Sequence, residues 1–326
     1  MMNNKHKIIA YLEQAKTSSV NDLVDQLGIS RQAIHRILKD LLDEKKVTKI
    51  GRPPKVFYTI APLSYAKVTN YPDIDKDLNK VIDNEFLYIT PLGSNLGGYE
   101  AFVYWCLERK MDVKKTALNY LNTIKKYKKY RKNGLIDGLQ KMETSFDKVF
   151  LDKIFYLDFY SIEIFGKTKL GQLLLFAKQS QDRKMINEIV DTIKPEITKL
   201  IIDHKITAIG FIPPTVKREL QLMKQIQKRL NLSAKTIELV KIKTTVAVPQ
   251  KTLSKIDDRI VNAKTTIAVN DSGKYDNILL IDDAVGSGAT LNEVAKKIRE
   301  KNMCRGNIVG LAIVGSFKGF EVISEV

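Results

Sequence analysis

The chain has 326 residues, enough for two or three domains, and a hydrophobic fraction of 44% allows a substantial buried core. Its formal net charge of +17 favours a polyanionic partner. Two distant cysteines (Cys106, Cys304) and three scattered histidines exclude a disulfide framework and a Cys/His metal site, and with no membrane-length apolar run and no signal-peptide core the expectation is a cytoplasmic protein without a membrane partner.

Residues 5–15 predict a helix with Ile8, Ile9 and Leu12 on one face. Val20 to Leu27 predicts a second, stopped by Gly28. Ser30 is placed to cap a third helix over 31–43. There Ile34, Ile37, Leu38, Leu41 and Leu42 recur at helical spacing, and Arg31, Gln32, His35, Arg36 and Lys39 occupy the opposite face. Residues 47–50 and 56–60 read as strands joined by Gly51-Arg52-Pro53-Pro54-Lys55. The pattern over 23–38, Leu-x-x-x-Leu-Gly-Ile-Ser-Arg-x-Ala-Ile-x-x-x-Leu, is similar to a winged helix-turn-helix. The resemblance implies a DNA-binding domain over 1–61, with the third helix in the major groove. Arg31, Gln32, His35, Arg36 and Lys39 would then face the DNA, and Arg52 and Lys55 at the wing tip would touch phosphate or the minor groove. Eleven Lys/Arg against six Asp/Glu in residues 1–60 suit that use. Protein contact is the other use of such a domain.

Residues 62–155 read as a mainly helical, basic middle region. A linker is expected from Pro62 to about Pro72, a helix over 74–84, a strand over 86–90, a loop over 91–98 and a helix over 99–109. Phe102, Trp105 and Cys106 form the packing stripe of that helix and read as core rather than as a base-stacking platform. Residues 114–132 hold eight Lys/Arg and no Asp/Glu, with Ala117, Leu118, Leu121 and Ile124 as an apolar stripe. Such a helix can follow a phosphate backbone or face solvent, and the residues leave both open.

Residues 156–326 alternate helical and strand patterns. Helices are expected over 167–178 and 186–203, and strands over 208–213, 236–242, 278–281 and 308–314. Val216, Leu220, Met223, Ile226 and Leu230 predict a helix after the first strand. The alternation implies an α/β domain with a parallel sheet. Within it, the apolar run Ile278 to Ile281 leads into Asp282-Asp283-Ala284-Val285, then the small loop Gly286-Ser287-Gly288-Ala289-Thr290, then an amphipathic helix. A Gly-rich loop opening a helix offers N–H groups to a phosphate, and two carboxylates beside it suit sugar hydroxyls.

Residues 277–291 resemble the phosphoribosyl-pyrophosphate signature of type I phosphoribosyltransferases. The resemblance implies that Asp282 and Asp283 hold ribose hydroxyls. The backbone of Val285 to Ala289, with Ser287 and Thr290, would hold the 5′-phosphate, and Mg²⁺ would accompany the ligand. Gln250-Lys251-Thr252-Leu253-Ser254, with Arg259 and Asn262, resembles the flexible loop of the competence-protein-F-like branch. Pro213 to Arg218 occupies its pyrophosphate-loop position, where Lys217 and Arg218 would supply charge. The branch's Arg-Gly-Phe-Asn-Gln is here Arg218-Glu219-Leu220-Gln221-Leu222, and its amino-terminal cysteine cluster is missing. These departures favour ribose-phosphate binding over pyrophosphate binding.

A winged helix joined to such a domain resembles the purine repressors of Gram-positive bacteria. That architecture implies a homodimeric DNA-binding regulator sensing phosphoribosyl pyrophosphate or a nucleotide. An active phosphoribosyltransferase and a competence or DNA-uptake accessory protein are the alternatives.

Overall fold

The computed structural model describes residues 3–44, 46–61, 71–91, 93–216, 218–242, 246, 248 and 252–316. It divides into two compact units, Met1–Asn119 and Tyr120–Val326.

The first unit opens with α1 (Asn4–Ala15), α2 (Val20–Leu27) and α3 (Arg31–Asp43), followed by an antiparallel ribbon of β1 (Val47–Arg52) and β2 (Lys55–Ile60). Local chemistry sets each boundary. Ser19 and Asp22 form a reciprocal capping box at α2, which satisfies two otherwise orphaned N–H groups. Gly28 ends α2 at φ 63°, a left-handed conformation that costs a side-chain-bearing residue about 1–2 kcal/mol. The Ser30 hydroxyl accepts from Ala33 N at the start of α3. Ile8, Leu12, Leu23, Ile34, Leu38, Leu41, Val47 and Tyr58 close into one core, each large aliphatic contributing about 1.5–3 kcal/mol by leaving water. Ser18 pairs with Tyr58 through two backbone hydrogen bonds, adding a third short edge to the ribbon. The strands run further toward the tip than expected, so that Arg52 and Lys55 pair across it and only Pro53-Pro54 turn.

The rest of the unit holds α4 (Lys76–Glu85), β3 (Leu87–Ile89), β4 (Asn95–Gly97) and α5 (Gly98–Glu108). Part of the expected 91–98 loop is strand: β4 pairs with β3, and Thr90 Oγ1 accepts from Ser94 N to close the hairpin. Phe102, Trp105 and Cys106 are buried, as a packing stripe should be, and Phe86 meets both rings edge-on. Burial also pushes the Cys106 thiol up to about 12, so it is an inert core residue. The basic helix α6 (Val113–Lys128) follows. Residues 62–70 of the expected linker lie outside the described residues.

The second unit is built on a seven-stranded sheet. Its strands are β5 (Arg131–Lys132), β6 (Leu135–Asp137), β7 (Lys153–Phe159), β10 (Ala208–Phe211), β11 (Lys235–Ile237), β14 (Ile278–Val285) and β15 (Ile308–Gly315). Between them lie α7 (Leu139–Glu143), the small ribbon β8 (Ser161–Ile162) and β9 (Gly166–Lys167), α8 (Lys169–Ser180), α9 (Arg183–Asp203), α10 (Leu222–Leu230), β12 (Leu239–Lys241), α11 (Ile256–Thr266), β13 (Ile267–Val269) and α12 (Ala289–Glu300). The order across the sheet is β11-β10-β14-β15-β7-β6-β5. The first five strands are parallel, and β6 and β5 add antiparallel. The expected α/β class with a parallel-rich sheet and an amino-terminal winged helix is therefore present. The completely buried strand β15 and the first four residues of β14 fit a sheet covered on both faces.

Three local expectations are corrected. The segment 236–242 is two strands: β11 joins the sheet, while β12 turns away to pair with β13. Glu238 marks the break, accepting from Asn270 through both backbone and side chain. The helix expected from Val216 starts only at Leu222; after Pro213-Pro214, residues 215–216 and 218–221 are not helical. The strand expected to end at Ile281 continues to Val285.

Candidate functional site

From β10 the chain passes through α10 to β11, the neighbour of β10 away from β14. From β14 it passes through α12 to β15, the neighbour of β14 away from β10. β10 and β14 are neighbours, so the connections leave their carboxyl ends in opposite directions and a crevice opens between them. That crevice is a cleft of about 170 Å³. Residues 212–216 after β10, residues 282–291 of the signature, and Lys178, Arg218, Met223, Lys241, Arg259 and Ile267 line it. Asp282 to Thr290, Arg218 and Arg259 therefore line one cleft. Lys217, Gln250 and Lys251 lie outside the described residues.

The longer β14 changes how the two carboxylates are presented. Asp282 pairs in register with Ala312, and Val285 with Gly315, so both acids sit inside the strand. Successive strand residues point to opposite faces. Asp283 meets Lys178 of α8, with Nζ and Oδ2 2.5 Å apart and the two side chains only 20% and 16% exposed. Asp282 lies in the field of the same lysine and, more weakly, of a second one, Lys241 of β12. Asp283 N donates to Asp282 Oδ1 at 2.8 Å. Burial, and then the Asp283 carboxylate, push the Asp282 carboxyl up to about 7, against the opposing pull of that N–H, Lys178 and Lys241. Burial in turn pulls the Lys241 ammonium down, and it donates to Thr266 Oγ1 at 2.5 Å.

Beyond Val285 the loop turns sharply at Gly288, which caps α12 at φ 77°. Ser287 is buried and its hydroxyl accepts from Ala289 N at 3.4 Å. Leu291, Val294, Ala295 and Ile298 bury the inner face of α12 and fix its amino terminus at the cleft. The positive end of the helix dipole therefore faces the cleft. Asn292 braces the same turn from outside, bonding Phe150 N (2.8 Å) and Lys148 O (3.0 Å). Arg259 is buried, with Nε on Leu253 O at 2.8 Å; it holds the chain before α11 in place. Lys178 and Lys241 were not singled out in the sequence. Each looked like an ordinary charged position, and Lys178 lies 105 residues from its partner.

In the first unit, Arg31, Gln32, His35, Arg36 and Lys39 are all exposed on one face of α3. Arg31 donates to Asn21 Oδ1 of α2 at 2.5 Å, which holds its guanidinium at the head of α3. Arg52 and Lys55 are exposed at the ribbon tip. Phe57 on the same ribbon is 40% exposed, an apolar contact the sequence did not flag.

A family model for winged helix-turn-helix DNA-binding domains matches residues 3–48. The chain thus carries a DNA-binding domain of that kind at its amino terminus. No curated protein matches the sequence. A crystal structure titled as a hypoxanthine phosphoribosyltransferase from Staphylococcus aureus is similar at 13% identity and a TM-score of 0.25, covering 40% of this chain. The match spans 65% of that protein's own length. Among the described residues no helix is long and apolar enough to cross a membrane.

Proposed function

We propose that this chain is a DNA-binding transcriptional regulator, acting as a homodimer, whose second unit binds phosphoribosyl pyrophosphate or a nucleotide as effector. The observation that carries the reading is the crevice between the carboxyl ends of β10 and β14. A helix amino terminus behind a Gly-Ser-Gly turn suits a phosphate there, and two carboxylates suit sugar hydroxyls. The winged helix supplies the output. Two half-sites read by two copies would match the usual symmetry of such regulators.

Magnesium fits this site only as a companion of the ligand. Among the described residues no group of three or more His, Cys, Asp or Glu could hold a metal unaided. Mg²⁺ characteristically takes one or two carboxylates plus phosphate oxygens, and Asp282 and Asp283 are the carboxylates that line the cleft. Bound with a diphosphate, the ion would offset the charge of the phosphate oxygens.

Calorimetry with phosphoribosyl pyrophosphate and Mg²⁺, with and without duplex DNA, tests the reading. The variant Asp282→Asn/Asp283→Asn should lose ligand binding while its ligand-free DNA affinity stays within about twofold. Equal loss of both activities, or no heat of binding in the unaltered chain, would count against it. A pyrophosphate-release assay across free bases separates a regulator from an active transferase.

A further inference from the structure

Among the described residues, four cations line the cleft: Lys178, Arg218, Lys241 and Arg259. Two of them hold the surrounding chain, Arg259 through Leu253 O and Lys241 through Thr266 Oγ1. Lys178 is bonded to Asp283, one of the two carboxylates to which a sugar hydroxyl would donate. Both side chains are largely shielded from water. A hydroxyl that takes over the Asp283 oxygens withdraws the counter-ion from a mostly buried ammonium, and leaving such a charge unpaired is strongly unfavourable. The exchange becomes favourable when the ligand itself brings an anionic group for Lys178.

The location of Lys178 says where that group would lie. It sits in the last turn of α8, and Gln181, which caps the same helix, accepts from Leu220 N at 2.5 Å. One helix end therefore touches both the signature strand and the loop after β10 that carries Arg218. The α12 amino terminus, which suits the 5′-phosphate, is a separate element.

We propose that Lys178 is the specificity-determining residue of this site. In the empty cleft it stands in for ligand charge on Asp283. When a pentose phosphate binds, it yields Asp283 to a sugar hydroxyl and takes a second anionic substituent, distinct from the 5-phosphate. The site then selects pentoses carrying two separate phosphate-type groups over those with a 5-phosphate alone. This assignment rests on the sugar-phosphate reading above.

Calorimetry on the full chain in excess Mg²⁺ compares ribose 5-phosphate with phosphoribosyl pyrophosphate. Lys178→Gln should weaken the diphosphate compound by about tenfold or more and ribose 5-phosphate by less than about threefold, with Lys178→Arg restoring most of the difference. Equal losses for the two compounds, or no loss for either, would overturn the assignment while leaving the sugar-phosphate reading intact. An unaltered chain that binds neither compound overturns both together. Because Lys178→Gln leaves Asp283 without its counter-ion, a thermal melt accompanies each titration. Should that variant not fold, Lys178→Gln/Asp283→Asn removes both charges but keeps the Asp282 carboxylate for the sugar, and it should bind the two compounds more weakly than the unaltered chain but with affinities within about threefold of each other. A retained preference for the diphosphate compound would overturn the assignment.

Discussion

Asp282 is the residue where burial and function pull in opposite directions. Its carboxyl rises from 3.8 to about 7 because burial and the Asp283 carboxylate both oppose its ionisation. A carboxyl raised on folding takes up a proton as the chain folds. The stability it contributes is fully present below the unfolded value and is lost as pH rises through the folded one. The melting temperature of the unaltered chain should therefore fall relative to Asp282→Asn as pH is raised from about 4 to about 7, and the gap should level off above about pH 8. Parallel profiles for the two proteins would show that Asp282 is solvated and ionised throughout. Asp283 differs from its neighbour by its contact with Lys178. The strand alternation that gives two adjacent, identical residues different partners could not be read while the strand was expected to end before them.

Among the elements, α3 and β14 show what a sequence does and does not disclose. In α3 the apolar period, the Ser30 cap and the Gly28 stop agree, because each is a local effect of side chains on their own backbone. Its exposed face is then the complement of the buried one. Arg31→Ala and Arg36→Ala should each weaken duplex binding, and together they should lower the slope of log affinity against log salt by about two. Filter binding from low to moderate salt measures this, and an unchanged slope would remove α3 from the interface. In β14 the apolar run stops at Ile281 but the ladder to β15 does not, because backbone groups need no apolar side chain to pair. The division of 236–242 at Glu238 was hidden for a related reason. Its cause is Asn270, a partner distant in sequence. β7 was likewise missed, since its pairing with β15 joins segments more than 150 residues apart.

For the whole molecule, charge is the property that no single element contains. Residues 1–60 carry eleven Lys/Arg against six Asp/Glu, so most of the +17 lies elsewhere. Part of the basic stretch 114–132 is already neutralised, Lys126 by Glu163 and Arg131 by Asp158. Lys125, Lys128, Lys129 and Lys132 are exposed. If they meet phosphates, replacing all four by Gln should lower the salt slope by about three to four and weaken binding to every duplex alike. An unchanged slope would make them solvated lysines only. One further consequence concerns chain length. β12 and β13 lie side by side, so the chain leaves and re-enters the main scaffold at nearly the same point, with Glu238 and Asn270 as the clasp. A change of length in the excursion between them need not alter the register of the parallel strands, while α11 within it stays tied to α12 through Lys297, which donates to Lys264 O.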